Sequence, residues 1–271
     1  MKTIYIIVFC FLSLSLFSQK SQALPFKSGE KISYTVYYNL AWIWVDAAVV
    51  EFSVSDSLYN KQDLFYFESI GYSRQSYDWI FKVRDRFTSF ASKTDLAPVN
   101  YCRKTQEGSH KVNNRYYFSH DIKQIRTFID DSDKGGIQDT ISFSSPVFDV
   151  LTASYFFRAV NFSNMKEGQT IAINTVMDNE LVKLQIEFLG EEIIEHKNKK
   201  SYSTFKFKTK AIEGSVFDKN SEIVVWISKD KNHIPLKVES EILVGSVIAY
   251  LSEVRSPKDS SSVIIKDFLL K

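Results

Sequence analysis

The sequence contains little cysteine, glycine, proline or histidine. Its 271 residues include 2 Cys, 9 Gly, 5 Pro and 4 His. So few cysteines exclude a disulfide-rich scaffold, and so little glycine and proline exclude collagen-like and low-complexity chains. Only Cys102 lies beyond residue 23, so the chain after that point cannot form an internal disulfide.

Recognisable catalytic and metal-binding motifs are also absent. The histidines show no metal-ligand spacing, and each is predicted to be a surface or turn residue. No Gly-x-Ser-x-Gly elbow, glycine-rich phosphate loop or dinucleotide fingerprint occurs. The acidic segment 130–136 matches a calcium loop poorly and favours a hairpin turn. We therefore predict no catalytic residue, no metal site and no cofactor, although the paired carboxylates of a glycoside hydrolase would leave no sequence trace.

The N-terminus has the pattern of a secretory signal peptide. One basic residue, Lys2, precedes an apolar run over residues 4–17, and the small residues Ser21 and Ala23 follow. A membrane-spanning helix needs about 20 apolar residues, so the short run disfavours a membrane anchor. A buried N-terminal helix is the other alternative. We expect residues 1–23 to be removed and the protein to reach the periplasm or cell envelope.

Residues 24–271 are predicted to form a single β-rich domain without a transmembrane segment. Removal of the signal lowers Lys plus Arg from 34 to 32, because Lys2 and Lys20 leave, while 32 Asp plus Glu remain. Such a balanced chain has no long-range attraction to nucleic acid, so no nucleic-acid partner is expected.

Apolar and polar residues alternate through most of the chain after residue 30. Ile32, Tyr34 and Val36 share one face of a predicted strand, and Phe205 and Phe207 alternate with lysines. About a dozen such runs are separated by turn signals rich in Asp, Asn and Ser. The pattern predicts a mainly β fold, with a single antiparallel, strongly curved sheet or unclosed barrel of about a dozen strands.

One segment, at about residues 146–160, has helical spacing instead. Ser145 is suited to cap a helix, Pro146 to its first position and Asp149 to its first turn. The apolar stripe that follows includes Phe148, Leu151 and Tyr155. We predict one main helix that packs on or in the curved sheet.

Aromatic clusters in the first half of the chain, together with this helix, supply candidate ligand contacts. A curved sheet leaves a concave face that its own side chains fill incompletely unless a helix packs there. Packing in the protein core is the alternative role for these side chains. The predicted ligand-lining residues are Trp42, Trp44, Trp79, Phe148 and Tyr155.

A charged trio follows the second aromatic cluster. Arg84 and Arg86 are expected on one face of a strand and Asp85 on the other. The trio forms either a solvated face or a buried Asp–Arg pair that ties the sheet to the helix.

Four stretches, in order between residues 24 and 255, carry a family resemblance. They are Leu24 through Asn39, then Val83-Arg84-Asp85 followed by Pro98, then Phe148 through Ala153 with Tyr155 and Arg158, then Val225 through Asp230 with Pro235 and Gly245-Ser246. Together they resemble the exported bacterial family known as Domain of Unknown Function 3108. The resemblance implies no activity. It implies structural roles for the matching residues Arg84, Asp85, Asp149, Arg158, Trp226, Pro235 and Gly245.

The closing hairpin also resembles the end of the periplasmic lipoprotein-carrier proteins. The likeness lies in Trp226 through Asp230 and in Pro235 through Glu239. Carriers of that kind fold as an unclosed antiparallel barrel, with helices over its mouth, and hold acyl chains inside. The resemblance implies a similar fold, whereas function transfers poorly between proteins that share only a fold.

Three hypotheses of function follow from the sequence. The first is a non-catalytic, exported cell-envelope binding protein that holds a lipid or an acylated ligand in an aromatic-lined concavity. The second is a structural or assembly protein that acts through an envelope protein partner. The third is a hydrolase of envelope glycan or lipid. The expected partner is a hydrophobic small molecule or an envelope protein.

Overall fold

A computed structural model describes residues 23–40, 43–210, 222–241 and 245–256. Over these ranges the chain forms fourteen β-strands, one α-helix and one short 3₁₀ helix, Gln75–Tyr77. The strands are β1 Lys31–Leu40, β2 Ile43–Tyr59, β3 Gln62–Ser73, β4 Arg84–Ser92, β5 Pro98–Glu107, β6 His110–Ser119, β7 Gln124–Asp131, β8 Gly135–Ser142, β9 Thr170–Met177, β10 Glu180–Glu195, β11 Ser201–Lys210, β12 Glu222–Ser228, β13 Pro235–Glu241 and β14 Ser246–Arg255. The helix, α1, spans Val150–Ala159 between β8 and β9.

All fourteen described strands belong to one antiparallel sheet. Strands that are consecutive in sequence are neighbours in the sheet, except that β8 does not pair with β9. The first and last described strands, β1 and β14, also pair with each other. The strand order is therefore circular apart from one gap between the edges of β8 and β9, which we call the seam. Helix α1 belongs to the connection that crosses the seam.

The segment before α1 bonds to one edge of the seam. The Phe148 backbone N–H donates to the carbonyl of Asn174 on β9 at 2.9 Å, and the Val176 N–H donates to the Phe148 carbonyl at 3.0 Å. These bonds satisfy backbone groups that an edge strand would otherwise leave unpaired. The start of α1 is thus fixed to β9.

The turn between β9 and β10 reaches the strands on the other side of the seam. The Asp178 carboxylate lies 2.6 Å from the Arg103 guanidinium on β5. The side chain of Asn179 donates to Asp139 on β8 at 2.9 Å and accepts a hydrogen bond from Thr127 on β7. Side chains therefore connect the two edges where backbone pairing is missing.

Aromatic rings fill much of the space inside the curve of the sheet. The Phe26 ring lies 4.8 Å from Tyr155 of α1, between centroids, and the Phe162 ring lies 4.7 Å from Phe207 of β11. Residues of α1 and rings from both halves of the sheet belong to one buried cluster, with members that include Phe65, Phe67, Tyr101, Tyr116, Phe118, Phe157, Phe188 and Phe205. Burying one such side chain stabilises the fold by about 1.5–3 kcal/mol.

The predicted fold class is confirmed: the protein is mainly β, with one unclosed antiparallel sheet and a single α-helix among the described residues. The helix is shorter than the predicted range 146–160 and begins at Val150. Ser145 is not its cap, because the Asp149 side chain accepts hydrogen bonds from the backbone N–H groups of Leu151 and Thr152. Asp149 therefore precedes the first turn, and the cap lies four residues later than expected.

Gly245 precedes β14 and takes a backbone conformation that other residues adopt with strain. Its φ is +85°, and a Cβ atom there would lie 2.1 Å from the carbonyl oxygen of Asn39 on β1. Because β1 and β14 pair at this point, neither backbone can move away without breaking the ladder. The structural role implied for Gly245 thus has a physical cause.

We predict that Gly245→Ala lowers the free energy of unfolding by at least about 2 kcal/mol more than Gly168→Ala. Gly168 is the matched control, since its φ is +83° and nothing lies within 4 Å of its added Cβ. Urea denaturation measures both variants. Equal destabilisation would show that the close approach of Asn39 has no cost.

Candidate ligand cavity

Asp149 fixes the N-terminal end of α1 to the sheet. Its Oδ1 accepts the N–H groups of Leu151 and Thr152 at 2.8 and 3.0 Å, and the Thr152 hydroxyl accepts the Asp149 N–H at 3.0 Å. The Ser89 hydroxyl of β4 donates to its other carboxyl oxygen at 2.6 Å. Asp149 is fully buried, and this burial raises its pKa to about 6 although the hydrogen bonds that its carboxylate accepts favour the charged form.

Arg158 fixes the other end of α1. Its guanidinium lies 2.7 Å from the Glu30 carboxylate, in the segment before β1, and bonds both carboxylate oxygens. The same group donates to the backbone carbonyls of Pro25 and Asn232 at 3.4 and 3.1 Å. Both charged side chains are 5% exposed, so each ion depends on the other for the interactions that water would otherwise supply.

Neighbouring groups complete the surroundings of Arg158. The guanidinium carbon lies 5.6 Å from the centre of the Phe26 ring and 5.4 Å from the centre of the Tyr155 ring. The Arg158 backbone carbonyl accepts a hydrogen bond from Nδ1 of His233 at 2.7 Å. The end of the helix is thus connected to the N-terminal segment and to the turn between β12 and β13.

A cavity of about 370 Å³ lies between α1 and five strands, β1, β2, β12, β13 and β14. Its strand residues are Ile32, Tyr34, Val50, Phe52, Ile223, Val225, Ile227, Pro235, Val238 and Ala249, and its helix residues are Ser154, Tyr155, Phe157 and Arg158. Ser154 is exposed and several of the strand residues are only half-buried, so solvent reaches part of the wall. The volume falls within the range of about 300–1,000 Å³ that small-molecule sites occupy.

The wall of this cavity is chemically suited to an apolar ligand. It contains no Asp, Glu, His or Cys among the described residues, and its charged residue, Arg158, is paired with Glu30. The Tyr34 hydroxyl donates to the Pro235 carbonyl at 3.0 Å. Burial raises the pKa of Tyr34 and of Tyr155 above the ordinary tyrosine value, so both remain neutral at physiological pH.

The residues predicted to line a ligand site lie in different places. Tyr155 lines the cavity. Phe148 is buried and stacks on Phe156, with ring centres 4.6 Å apart, but it does not line the cavity. Trp44 and Trp79 are 43% and 82% exposed and contribute nothing to its wall. Trp42 lies outside the described residues.

The charged trio 84–86 does not tie the sheet to the helix. Arg84 pairs with Asp78 and Arg86 with Glu68, both on partly exposed surfaces. Burial, assisted by the nearby charge of Glu107, raises the pKa of Asp85 to about 6. The buried pair that joins helix and sheet segments is instead Arg158 with Glu30.

Trp226 and Pro235 both contact side chains of other strands of the sheet. The Trp226 indole N–H donates to Glu192 at 3.2 Å, and the ammonium groups of Lys237 and Lys206 lie 4.1 and 5.0 Å from its ring centre. Pro235 begins β13, where a proline needs no ladder donor. Its carbonyl accepts the Tyr34 hydroxyl at the cavity wall.

Sequence reasoning predicts no ligand-site role for Glu30 or for the strand residues of the cavity. Alternation placed Ile32 and Tyr34 on one face of β1, and it could have placed Val225 and Ile227 on one face of β12. It could not supply the pairing of β1 with β14, which places β13 and β12 on the same side of the sheet as β1, after β14 in the strand order.

One further cluster and one buried histidine complete the set of candidate sites. His110, Asp131 and Asp133 place one ligand atom each within 4.8 Å of one another. Asp131 already accepts the backbone N–H groups of Asp133 and Lys134, as a hairpin turn requires. His196 lies in the turn between β10 and β11, as predicted, but its side chain is only 5% exposed. Burial lowers its pKa.

The family model described as Protein of unknown function (DUF3108) matches residues 33–252. The chain belongs to this family. A crystal structure of a beta-barrel-like protein of Domain of Unknown Function DUF1849 from Brucella abortus is also similar, with a TM-score of 0.55 and 9% sequence identity over 87% of this chain and 100% of that chain. At that identity the likeness concerns the fold alone. A comparison with curated proteins finds no significant match.

Among the described residues of this DUF3108 protein, no helix combines the length and the apolar character needed to cross a bilayer.

We predict that Asp149→Asn changes the pH dependence of stability. The folded carboxyl, with a pKa of about 6, binds its proton more tightly than an unfolded aspartate at about 3.9, so this group lowers stability as pH rises between those values. Asparagine also caps helices. The difference in unfolding free energy between variant and wild type should therefore shift in favour of the asparagine variant by up to about 3 kcal/mol from about pH 4 to about pH 7.

Chemical denaturation at several pH values measures this difference. Asp149→Ala is the control, because it removes the cap and should cost about 0.5–2 kcal/mol. A difference between Asp149→Asn and wild type that stays constant with pH would contradict the buried, proton-binding carboxyl.

Arg158→Met should lower the free energy of unfolding by about 3–5 kcal/mol, because it leaves Glu30 buried and unpaired. Adding Glu30→Gln should restore a large part of the loss. Arg74→Met breaks an exposed pair with Asp46 and should cost at most about 1 kcal/mol. A double variant no more stable than Arg158→Met alone would refute the role of the unpaired charge.

Proposed function

We propose that this chain is an exported cell-envelope protein that binds an apolar ligand, without catalysis, in the cavity beside α1. The observation that carries the proposal is the hollow of about 370 Å³ with an almost wholly apolar wall. Concave, mostly apolar hollows of this size are typical of small-molecule binding sites. The export part of the proposal rests on the signal-like residues 1–23.

Burial of an acyl or similar chain supplies enough free energy for binding. Each methylene transferred from water gains about 0.8 kcal/mol, so a chain of ten gains about 8 kcal/mol before the costs of ordering and association. No charged partner is required for this gain. The ligand we favour is therefore a single aliphatic chain or a compact lipid fragment.

The composition of the wall favours binding over hydrolysis. General acid–base catalysis uses residues such as His, Asp or Glu within hydrogen-bond reach of the reacting group. The described residues of the wall include none of these. The alcohol of Ser154 donates to the Val150 carbonyl at 2.8 Å, and no histidine that could activate it is among the described wall residues.

One observation favours a second function, assembly through a protein partner. Strand β8 forms an edge of the sheet, and nearly all its residues are exposed. An unpaired edge can accept a strand from another chain. A partner strand on β8 would compete with no part of the cavity, so the two functions can be tested separately.

Native mass spectrometry of protein recovered from its natural envelope tests the proposal. We expect a bound mass that organic extraction releases as an aliphatic compound. Protein that is consistently empty, and that also fails to bind an apolar fluorophore such as N-phenyl-1-naphthylamine, would overturn it. A bound mass that proves to be a polypeptide would favour the second function.

Filling the cavity should abolish binding. Ala249 lies in its wall, and we predict that Ala249→Phe weakens fluorophore binding at least about tenfold, because the ring occupies space that the ligand needs. Ala172→Phe is the matched control, since Ala172 is exposed on β9 and away from the cavity. Wild-type affinity in both variants would place the binding site elsewhere.

A further inference from the structure

One end of the sheet exposes a group of large apolar side chains, which we call the aromatic tip. They lie at the start of β2 and in the connection between β3 and β4, and they are Ile43, Trp44, Trp79, Ile80 and Phe81. The sequence predicts ligand contacts at two of these residues, but the cavity uses none of them. Single exposed apolar residues are common on soluble proteins, whereas a group of this size marks an interaction surface.

Backbone contacts hold the segments of this end side by side. The Arg74 N–H donates to the carbonyl of Ala47 on β2 at 2.7 Å, and the Arg74 guanidinium bonds the Asp46 carboxylate at 2.9 Å. In the turn between β5 and β6, the Gly108 N–H donates to the Lys82 carbonyl at 2.7 Å. The start of β2, the β3–β4 connection and the β5–β6 turn therefore lie together, so that a single flat surface can contact the aromatic tip.

Several polar groups of the β3–β4 connection are paired within it. The N–H groups of Ile80 and Phe81 both donate to the Tyr77 carbonyl, at 2.9 and 3.2 Å. The Trp79 indole N–H donates to the Ser76 carbonyl at 3.0 Å. Groups paired in this way lose no hydrogen bond to water when their surroundings become apolar. The connection is thus suited to enter an apolar medium.

Arg84 fixes the shape of this connection. Its guanidinium donates to both carboxylate oxygens of Asp78, at 3.1 and 2.5 Å, and to the Ser73 hydroxyl at 3.0 Å. The Ser73 hydroxyl in turn donates to Asp78 at 2.5 Å. This network presents the apolar side chains on a defined turn, and it explains the structural role that the family resemblance implies for Arg84.

The charged groups next to the aromatic tip leave an excess of positive charge. The two acids of these segments, Asp46 and Asp78, are paired with Arg74 and Arg84. Lys82 directly follows the tip in sequence and is exposed, and among the described residues it forms no ion pair.

A surface depression beside Arg84 adds two lysines to this charge. Arg84, Lys104 and Lys111 line it, and Asp130 is its acid among the described residues. Glu107 lies on the opposite face of β5 from Lys104, because the two are three positions apart. Cations beside exposed apolar side chains favour a bilayer with anionic lipids, which is apolar inside and negative at its surface.

We propose that the aromatic tip docks the protein on the surface of a bilayer that contains anionic lipids. Trp79 and Ile80 enter the interfacial region, where tryptophan is favoured, and the lysines lie at the level of the headgroup phosphates. An acidic protein is the competing partner. Protein interfaces form about one hydrogen bond per 100–200 Å², and the paired polar groups of the connection offer few, so the bilayer is favoured. Docking goes beyond the proposed function and does not depend on a ligand in the cavity.

Sedimentation with lipid vesicles tests this inference. The mature chain from Leu24 onward is used, because the apolar run of residues 4–17 would itself bind lipid. Vesicles of equal parts phosphatidylethanolamine and phosphatidylglycerol are compared with vesicles of phosphatidylcholine. We expect tighter binding to the anionic vesicles, and we expect added salt to weaken it.

A double variant removes apolar surface from the tip. Trp79→Ser with Ile80→Ser should weaken binding to anionic vesicles at least about tenfold, because two apolar side chains no longer enter the interface. Leu58→Ser with Ile122→Ser is the matched control and should bind like the wild type. Its residues are 74% and 61% exposed, against 82% and 62% at the tip, and lie by the β2–β3 and β6–β7 turns at the opposite end of the sheet. All four side chains are exposed, so both double variants should keep nearly the wild-type Tm.

Lys82→Gln tests the contribution of charge. It should weaken binding to anionic vesicles about fivefold, the effect of one lysine near a charged bilayer, and should leave binding to phosphatidylcholine unchanged.

Three results would overturn the inference. They are a wild-type protein that binds neither kind of vesicle, equal affinity for both kinds, and a tip variant that binds like the wild type. A polypeptide that copurifies with the wild type and is lost only from the tip variant, without vesicle binding, would assign the tip to a protein partner instead. Each of these results leaves the proposed apolar binding intact, because fluorophore binding and Ala249→Phe test that function separately.

Discussion

The buried ion pair between Arg158 and Glu30 is the contact on which the arrangement of helix and sheet depends. It joins the end of α1 to the segment that leads into β1, while Asp149 joins the start of the helix to β4. A helix of ten residues is too short to be stable alone in water. Its position, and with it the space left beside it, is therefore set by these two polar contacts together with the aromatic rings around Tyr155.

The positions of the large side chains explain where the cavity forms. Rings from β3, β5, β6, β10 and β11 pack with the helix and with Phe26 in one cluster. The strands that border the cavity present mainly smaller residues there, such as Val225, Val238 and Ala249. The cavity separates these side chains from the helix, whose two ends are held by Asp149 and Arg158. The hollow is thus a consequence of the helix attachments and not of loose packing.

The sequence predicted the strands and the helix more accurately than it predicted which of them contact one another. Alternation identified the strands and helical spacing identified α1, because both patterns are local. The pairing of Glu30 with Arg158 joins residues 128 positions apart, and no local pattern encodes such a contact. Trp79 looked like a ligand contact, but it lies in the connection between β3 and β4, where it is exposed. Alternation with a period of two predicts on which face of a strand a side chain lies. It does not predict the positions of residues beyond the end of the strand.

The central claim is that two polar attachments hold the helix away from five strands and keep an apolar hollow open. Xenon binds in apolar cavities, so a crystal of the protein under xenon pressure tests this claim most directly. The account predicts xenon density between Tyr155 and the strand residues Val225, Val238 and Ala249. A crystal structure without xenon there, in which side chains from α1 and β12–β14 are in direct contact, would contradict it.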